Sequence, residues 1–201
     1  MTVSRISVPP TSASPASVSP ASAFLTPRTS AALRDAGLDP SYVADLACRA
    51  LTEDLGGPDG VDVTTASTIG THVVSTASVV ARASGVVAGL PAAAAVFEMA
   101  SAGALAVTSR VVEGARVEAG DVLATVYGPT RALLSAERSA LNLFCRLSGI
   151  ATHTRAWVDV VAKYPVKVLD TRKTTPGLRA LEKYAVRCGG GANKRMGLFD
   201  A

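Results

Sequence analysis

Between residues 39 and 57 apolar side chains return every three to four positions: Val43, Leu46, Ala47, Ala50 and Leu51. That period predicts a helix. Asp39-Pro40 marks its start and Gly56-Gly57 its stop. From Val73 onward the pattern becomes strand-like, with runs at 73–81, 85–88, 105–112 and 121–126 separated by glycine-bearing turns. An Ala-rich helix over 91–102 interrupts them. The helical period resumes over 130–163, where Leu133, Leu134, Ala140, Leu141, Phe144 and Leu147 form an apolar face. Gly149 is expected to break or bend this helix, because glycine costs about 1 kcal/mol in a helix interior. Residues 166–169 read as a short buried strand, followed by a loop over 170–177, a helix over 178–188 and the turn Gly189-Gly190-Gly191. Strand, loop and helix in that order form one unit of a parallel α/β arrangement.

Composition adds boundaries. Ser, Thr, Pro and Ala fill 21 of the first 30 positions, so residues 1–30 are expected to be a disordered tail that buries too little to offset its ordering entropy. They lack the apolar block of a secretory signal. The three cysteines, Cys48, Cys145 and Cys188, are widely spaced, and there are only two histidines. A disulfide framework and a zinc site are therefore disfavoured, and a reduced, cytoplasmic protein is expected. Cys145 and Cys188 read as small buried apolar groups. No uncharged apolar run reaches membrane-spanning length. Residues 111–123 resemble the biotinyl/lipoyl hammerhead, in which short strands and glycine turns make a flat half-barrel. A carrier domain needs a lysine on an exposed hairpin. Residues 31–162 contain none, which excludes carrier chemistry and leaves the shape.

The net charge of +4 conceals a division. Residues 1–130 carry a balance of −4 and residues 131–201 a balance of +8. A basic C-terminal third points to an anionic partner. Within it the loop Asp170-Thr171-Arg172-Lys173-Thr174-Thr175-Pro176-Gly177 follows a strand and precedes a helix, the position where α/β barrels collect binding groups. Arg172 offers a planar fork suited to a carboxylate and Lys173 a mobile ammonium suited to a phosphate. The loop's threonines can bond phosphate oxygens or cap the next helix. The triglycine turn allows close approach to a ligand or to another backbone, or serves as a helix C-cap. Lys194 and Arg195 follow it. Arg179, Lys183 and Arg187 recur every four residues and read as a solvated stripe on one helix face.

Four segments are specific: AERSALN at 136–142, LSGIAT at 147–152, LDTRKTTPGLR at 169–179 and KYAVRCGGG at 183–191, with Glu53-Asp54-Leu55 and Asp62-Val63-Thr64-Thr65 upstream. Together they closely resemble the quinolinate phosphoribosyltransferases, from about Leu38 to Ala201. The resemblance implies an α/β fold: an N-terminal α/β open-sandwich domain over 31–130, then a helical connection and the first strand–helix unit of an α/β barrel over 131–201. It also implies a reaction of quinolinate with phosphoribosyl pyrophosphate, giving nicotinate mononucleotide, pyrophosphate and CO2, with Mg2+ accompanying the pyrophosphate. By the same resemblance Arg172 and Arg195 hold the quinolinate carboxylates. Lys173 stands at the phosphoribosyl pyrophosphate side as the catalytic candidate, and Thr171 helps bind substrate. Arg138 reaches a neighbouring subunit's site, so a homodimer or higher homo-oligomer is implied.

Two departures stand out. Lys194 occupies the place of the family's usual histidine, keeping a cation but losing the imidazole's near-neutral titration. From Val166 onward only 36 residues remain, whereas a barrel takes ~200 or more. The protein ligands of Mg2+ are therefore expected beyond Ala201, and a truncated chain without activity of its own is expected. The competing readings are a paralogue acting on another aromatic acid and a dimerising remnant without chemistry. A nucleic-acid reader is disfavoured, because few aromatic side chains accompany the cations.

Overall fold

The computed structural model describes residues 23–200. The first helix, α1 (Pro27–Asp35), is capped by the Thr26 side chain, which accepts from the Thr29 backbone N–H. Its hold on the rest of the chain is polar. Glu98, a buried carboxylate on α4 (Leu90–Ala100), accepts from the Thr26 N–H at 2.8 Å and from the hydroxyls of Thr26 and Thr29 at 2.9 and 2.6 Å. Order begins before the expected tail boundary at residue 30, since α1 starts at Pro27 and Leu25 and Thr29 are buried. The hydroxyls that make the composition look disordered are the donors a buried carboxylate requires. The remainder of that tail, residues 1–22, lies outside the described residues.

Helix α2 (Pro40–Leu55) follows its predicted signals. Asp39 caps the Ser41 N–H, and Gly56 ends the helix in the left-handed conformation at φ 78°. A short helix not anticipated from periodicity, α3 (Val63–Thr68), is capped by Asp62 through the Thr65 N–H. Hydrogen bonds from Thr65 hold the Asp62 carboxyl below its usual pKa.

Strands β1 (Val74–Val80), β3 (Ala106–Ser109) and β5 (Val122–Pro129) form one antiparallel sheet in the order β1-β5-β3. Val126 of β5 lies opposite Ala77 of β1 and Val107 of β3. Strands β2 (Gly85–Val86) and β4 (Arg116–Val117) make a separate two-residue ribbon, with Gly114 and Gly120 at positive φ in the turns flanking β4.

Helix α5 (Thr130–Val161) has 32 residues, about 48 Å at 1.5 Å per residue. It runs unbroken through Gly149, contrary to expectation. The glycine is exposed, whereas Leu147 and Ala151 on either side are buried, so packing offsets its poor propensity. The first part of α5 contributes Leu133, Ala136, Ala140 and Phe144 to a core shared with α4 and the three-stranded sheet. Its later part contributes Leu147 and Ala151 to a second core with Leu33, Val43, Ala92, Leu181 and Tyr184. Helix α6 (Arg179–Cys188) closes that second core. Cys145 is exposed rather than buried, and burial pushes the half-buried Cys188 thiol's pKa up.

Residues 166–169 are not a buried strand. Val166 and Leu169 are exposed, and pairing is limited to one parallel bridge between Leu169 and Ala192. A single bridge offers neither a ladder nor a covering layer, so the apolar run stays at the surface.

Candidate functional site

The Leu169–Ala192 bridge brings two loops side by side. The Asp170 N–H donates to the Ala192 carbonyl at 3.1 Å and the Ala192 N–H to the Val168 carbonyl at 2.8 Å. Beyond the bridge one loop carries Thr171, Arg172 and Lys173, and the other carries Lys194 and Arg195. The predicted carriers of anion chemistry from the two segments are thus gathered at one place.

A buried polar cluster joins the loops. Lys183 is 1% exposed at its side chain and Asp170 4%, with Nζ and Oδ1 2.5 Å apart. The Asp170 carboxylate also accepts from the Lys194 N–H at 2.8 Å and from Asn193 Nδ2 at 2.6 Å. Lys183 Nζ donates to the Lys194 carbonyl at 2.9 Å, and Asn193 Nδ2 donates to the Lys183 carbonyl at 2.8 Å. Lys194 is consequently held at both its backbone N–H and its backbone carbonyl, while its side chain is exposed.

The cationic stripe predicted on α6 is solvated only in part: Arg187 is exposed, Arg179 is partly buried and Lys183 is buried. Lys183 belongs to the buried cluster. Arg179 donates to the Thr174 hydroxyl at 3.0 Å, to the Met196 carbonyl at 3.1 Å and to the Arg172 carbonyl at 3.4 Å. Arg187 donates to Asn193 Oδ1 at 2.8 Å and to the Ala36 carbonyl. All three cations brace the loops. The four-residue spacing reads equally as a wet stripe or as a row of struts, and only neighbouring elements distinguish them.

The threonines also act inside the loop. Thr171 Oγ1 accepts from the Lys173 N–H at 3.2 Å, and Thr175 Oγ1 accepts from Arg146 of α5. Glu182 accepts from Arg146 Nε at 3.0 Å and from the Thr175 N–H at 3.3 Å. Burial pushes the Glu182 carboxyl upward in pKa, but these hydrogen bonds outweigh it and leave the group below its usual value. Tyr42 donates its hydroxyl to the Gly177 carbonyl at 2.6 Å, and burial raises its pKa.

The triglycine turn serves close packing. The N–H groups of Gly189, Gly190 and Gly191 all bond to carbonyls at the end of α6. A Cβ on Gly189 would stand 2.5 Å from the Ala151 carbonyl and 2.6 Å from Thr154 Cβ, both on α5. The glycines let α6 seat on α5 rather than cradle a ligand. Glu113 ties α6 to the start of α4 by accepting from the Gly89 and Leu90 N–H groups and from the Tyr184 hydroxyl. Burial, reinforced by Glu113, pushes the Tyr184 pKa up and keeps the phenol a donor.

Against this bracing, the side chains of Arg172, Lys173, Lys194 and Arg195 make no ion pair among the described residues. Arg172 Nε is buried without a hydrogen-bond partner. Four unneutralised cations on two stitched loops form a site of positive potential suited to a multivalent anion. Arg138 lies apart. It is exposed on α5 without an ion pair, eight residues from Arg146 and so about 12 Å away along the helix axis.

The profile described as "Quinolinate phosphoribosyl transferase, N-terminal domain" matches residues 62–148, and the one described as its C-terminal domain matches 150–201. The chain is 52% identical over 153 residues to a nicotinate-nucleotide pyrophosphorylase [carboxylating] of Mycobacterium leprae, covering 76% of this chain and 53% of that protein. A probable enzyme of the same name from Bacillus subtilis is 44% identical over 148 residues, covering 74% and 50%. The crystal structure of NadC from Streptococcus pyogenes superposes with a TM-score of 0.76 at 40% identity, covering 82% of this chain and 57% of that one. The chain thus spans about half the length of the curated relatives it matches. With both domain profiles matched in order and the cation-bearing segments inside the second, the chain belongs to the quinolinate phosphoribosyltransferase family.

Proposed function

We propose that this chain supplies the cationic half of a site that joins quinolinate to phosphoribosyl pyrophosphate and yields nicotinate mononucleotide, pyrophosphate and CO2 for NAD synthesis. The observation that carries this reading is the group of four cations without carboxylate partners, with Arg172 Nε buried and unbonded. Both substrates are polyanions. The ring nitrogen bonds to the ribose carbon as the carbon–oxygen bond to pyrophosphate breaks, so negative charge accumulates on the leaving group. Fixed cations stabilise charge that develops in the transition state. Arg172 and Arg195 are planar forks that fit carboxylates, and Lys173 with Lys194 supplies point charges beside them. The Thr171 hydroxyl, accepting from the Lys173 N–H, keeps its own proton free for a substrate oxygen.

Mg2+ would accompany the pyrophosphate and offset part of its charge. Among the described residues there is no group of three metal-ligating side chains, and Asp170 is engaged by Lys183. These residues therefore do not fit a metal site of their own, and no step is assigned to one. Arg138, exposed and unpaired on α5, fits a homodimer in which it reaches the partner's anions. No helix among the described residues is long and apolar enough to cross a membrane. The three free cysteines favour a reducing, cytoplasmic setting.

Calorimetric titration of the 201-residue protein with quinolinate tests the reading. Saturable binding, weakened about tenfold or more in Arg172→Ala, is expected. Absence of binding, or binding indifferent to Arg172, would overturn it.

A further inference from the structure

We infer that the buried Asp170–Lys183 pair is a positioning device that sets the spacing between the two cation-bearing loops, and through it which arrangement of carboxylates the site accepts. The inference rests on the anion-binding reading above.

Lys183 is not itself a ligand. At 1% exposure its ammonium has no access to solvent or substrate, and it is bonded to Asp170 and to the Lys194 carbonyl. Nor is holding α6 in place a sufficient reason for burying two charges. Such pairs are commonly replaced by apolar side chains of similar volume without loss of stability, and the apolar packing of Leu181, Tyr184 and Ala185 already seats α6. What the pair adds is geometry. The Asp170 carboxylate takes a hydrogen bond from each of three donors, one on α6 and two on the second loop. Directional bonds between charged partners define distances that apolar contacts leave loose. Asp170 stands immediately before Thr171 and Arg172, and its bonds end at Asn193 and Lys194, immediately before Arg195. The carboxylate thus joins the Leu169–Ala192 bridge and Arg179 in tying the two loops, and it is the tie nearest to both Arg172 and Arg195 in sequence. Arg179 holds the first loop at the Arg172 carbonyl and the far end of the second at the Met196 carbonyl, so loosening the pair shifts the Asn193–Arg195 segment between held ends.

The test compares Lys183→Met, which strands the carboxylate, with the double variant Asp170→Asn/Lys183→Met, in which neither charge remains. Each is titrated with quinolinate and with its 2,5-dicarboxylate isomer. The ratio of the two affinities does not depend on the folded fraction, so a purely structural defect leaves it unchanged. The ratio is expected to fall by about tenfold, towards one, in both variants, even where the double variant melts at the wild-type temperature. An unchanged ratio in the double variant overturns the inference. If the unaltered protein binds neither dicarboxylate, the anion-binding reading itself fails. Amide exchange then decides the mechanical part. Faster exchange of the Lys194 N–H in the double variant, with α4 unaffected, supports the tie between the loops, and unaltered exchange overturns it.

Discussion

The junction of α4 with α5 and the junction of the two cationic loops are held by opposite means. At the first, small apolar groups allow close approach. Ala92, Ala93 and Ala95 are buried, and a Cβ on Gly89 would stand 2.6 Å from Leu147 Cδ1. At the second, a buried ion pair, an amide and two braced arginines connect segments with little apolar surface between them. Apolar packing is strong but weakly directional. It suits a scaffold, whose demand is cohesion. Charged hydrogen bonds contribute little net stability yet define position, which is the demand on a site whose own cations repel one another.

The contrast can be broken from either side. The largest loss of stability is expected from Phe144→Ala in the scaffold, about 3–5 kcal/mol by denaturant unfolding, because Phe144 is buried between α4, α5 and the sheet. Next comes Gly189→Ala, where the added methyl meets α5 backbone and side chain. About 1–3 kcal/mol is expected, with α6 exchanging amides faster than α4. Thr29→Val removes one of three donors to Glu98. It is expected to cost about 1–3 kcal/mol, read as a lower melting temperature with early fraying of α1.

A subtler change is expected at Glu182. Its carboxyl pKa is depressed in the folded protein. The associated stability is therefore complete above the unfolded-state carboxylate pKa, near 4.3 for Glu, and is lost as pH falls through the lower folded-state value. Glu182→Gln should flatten that part of the stability curve against pH, measured by chemical denaturation between neutral and acidic conditions. A curve of unchanged slope would show that Arg146 and Thr175 do not favour the charged form. The smallest effect on stability is expected from Arg172→Ala, within about 0.5 kcal/mol, although the same change is expected to weaken quinolinate binding about tenfold or more. That dissociation of stability from binding is the sharpest statement of the contrast.

Much of the scaffold was legible because its signals are local. Asp39, Pro40 and Gly56 bound α2 through their own backbone chemistry, and a strand-like run against an alanine-rich one separates β1 from α4. Gly149 and residues 166–169 misled for the same reason: propensity is a local quantity, and a neighbour's packing or its absence overrides it. The Thr26–Glu98 contact joins residues 72 positions apart, which no window of sequence contains. At the site, Arg172, Lys173, Lys194 and Arg195 were recognisable from charge, loop position and family motif. Lys183 reads as part of a solvated stripe, and Asp170 and Asn193 carry no signal of a structural role, because nothing in their spacing distinguishes a buried partner from a solvated one.

The sequence by itself determined the longer helices α2, α4, α5 and α6, the basic C-terminal third and the family, since these follow from residue types and short-range periodicity. Only the tertiary structure decided which cations remain unneutralised and which are struts. Pairing depends on what the fold brings within about 3 Å, where a hydrogen bond either exists or does not.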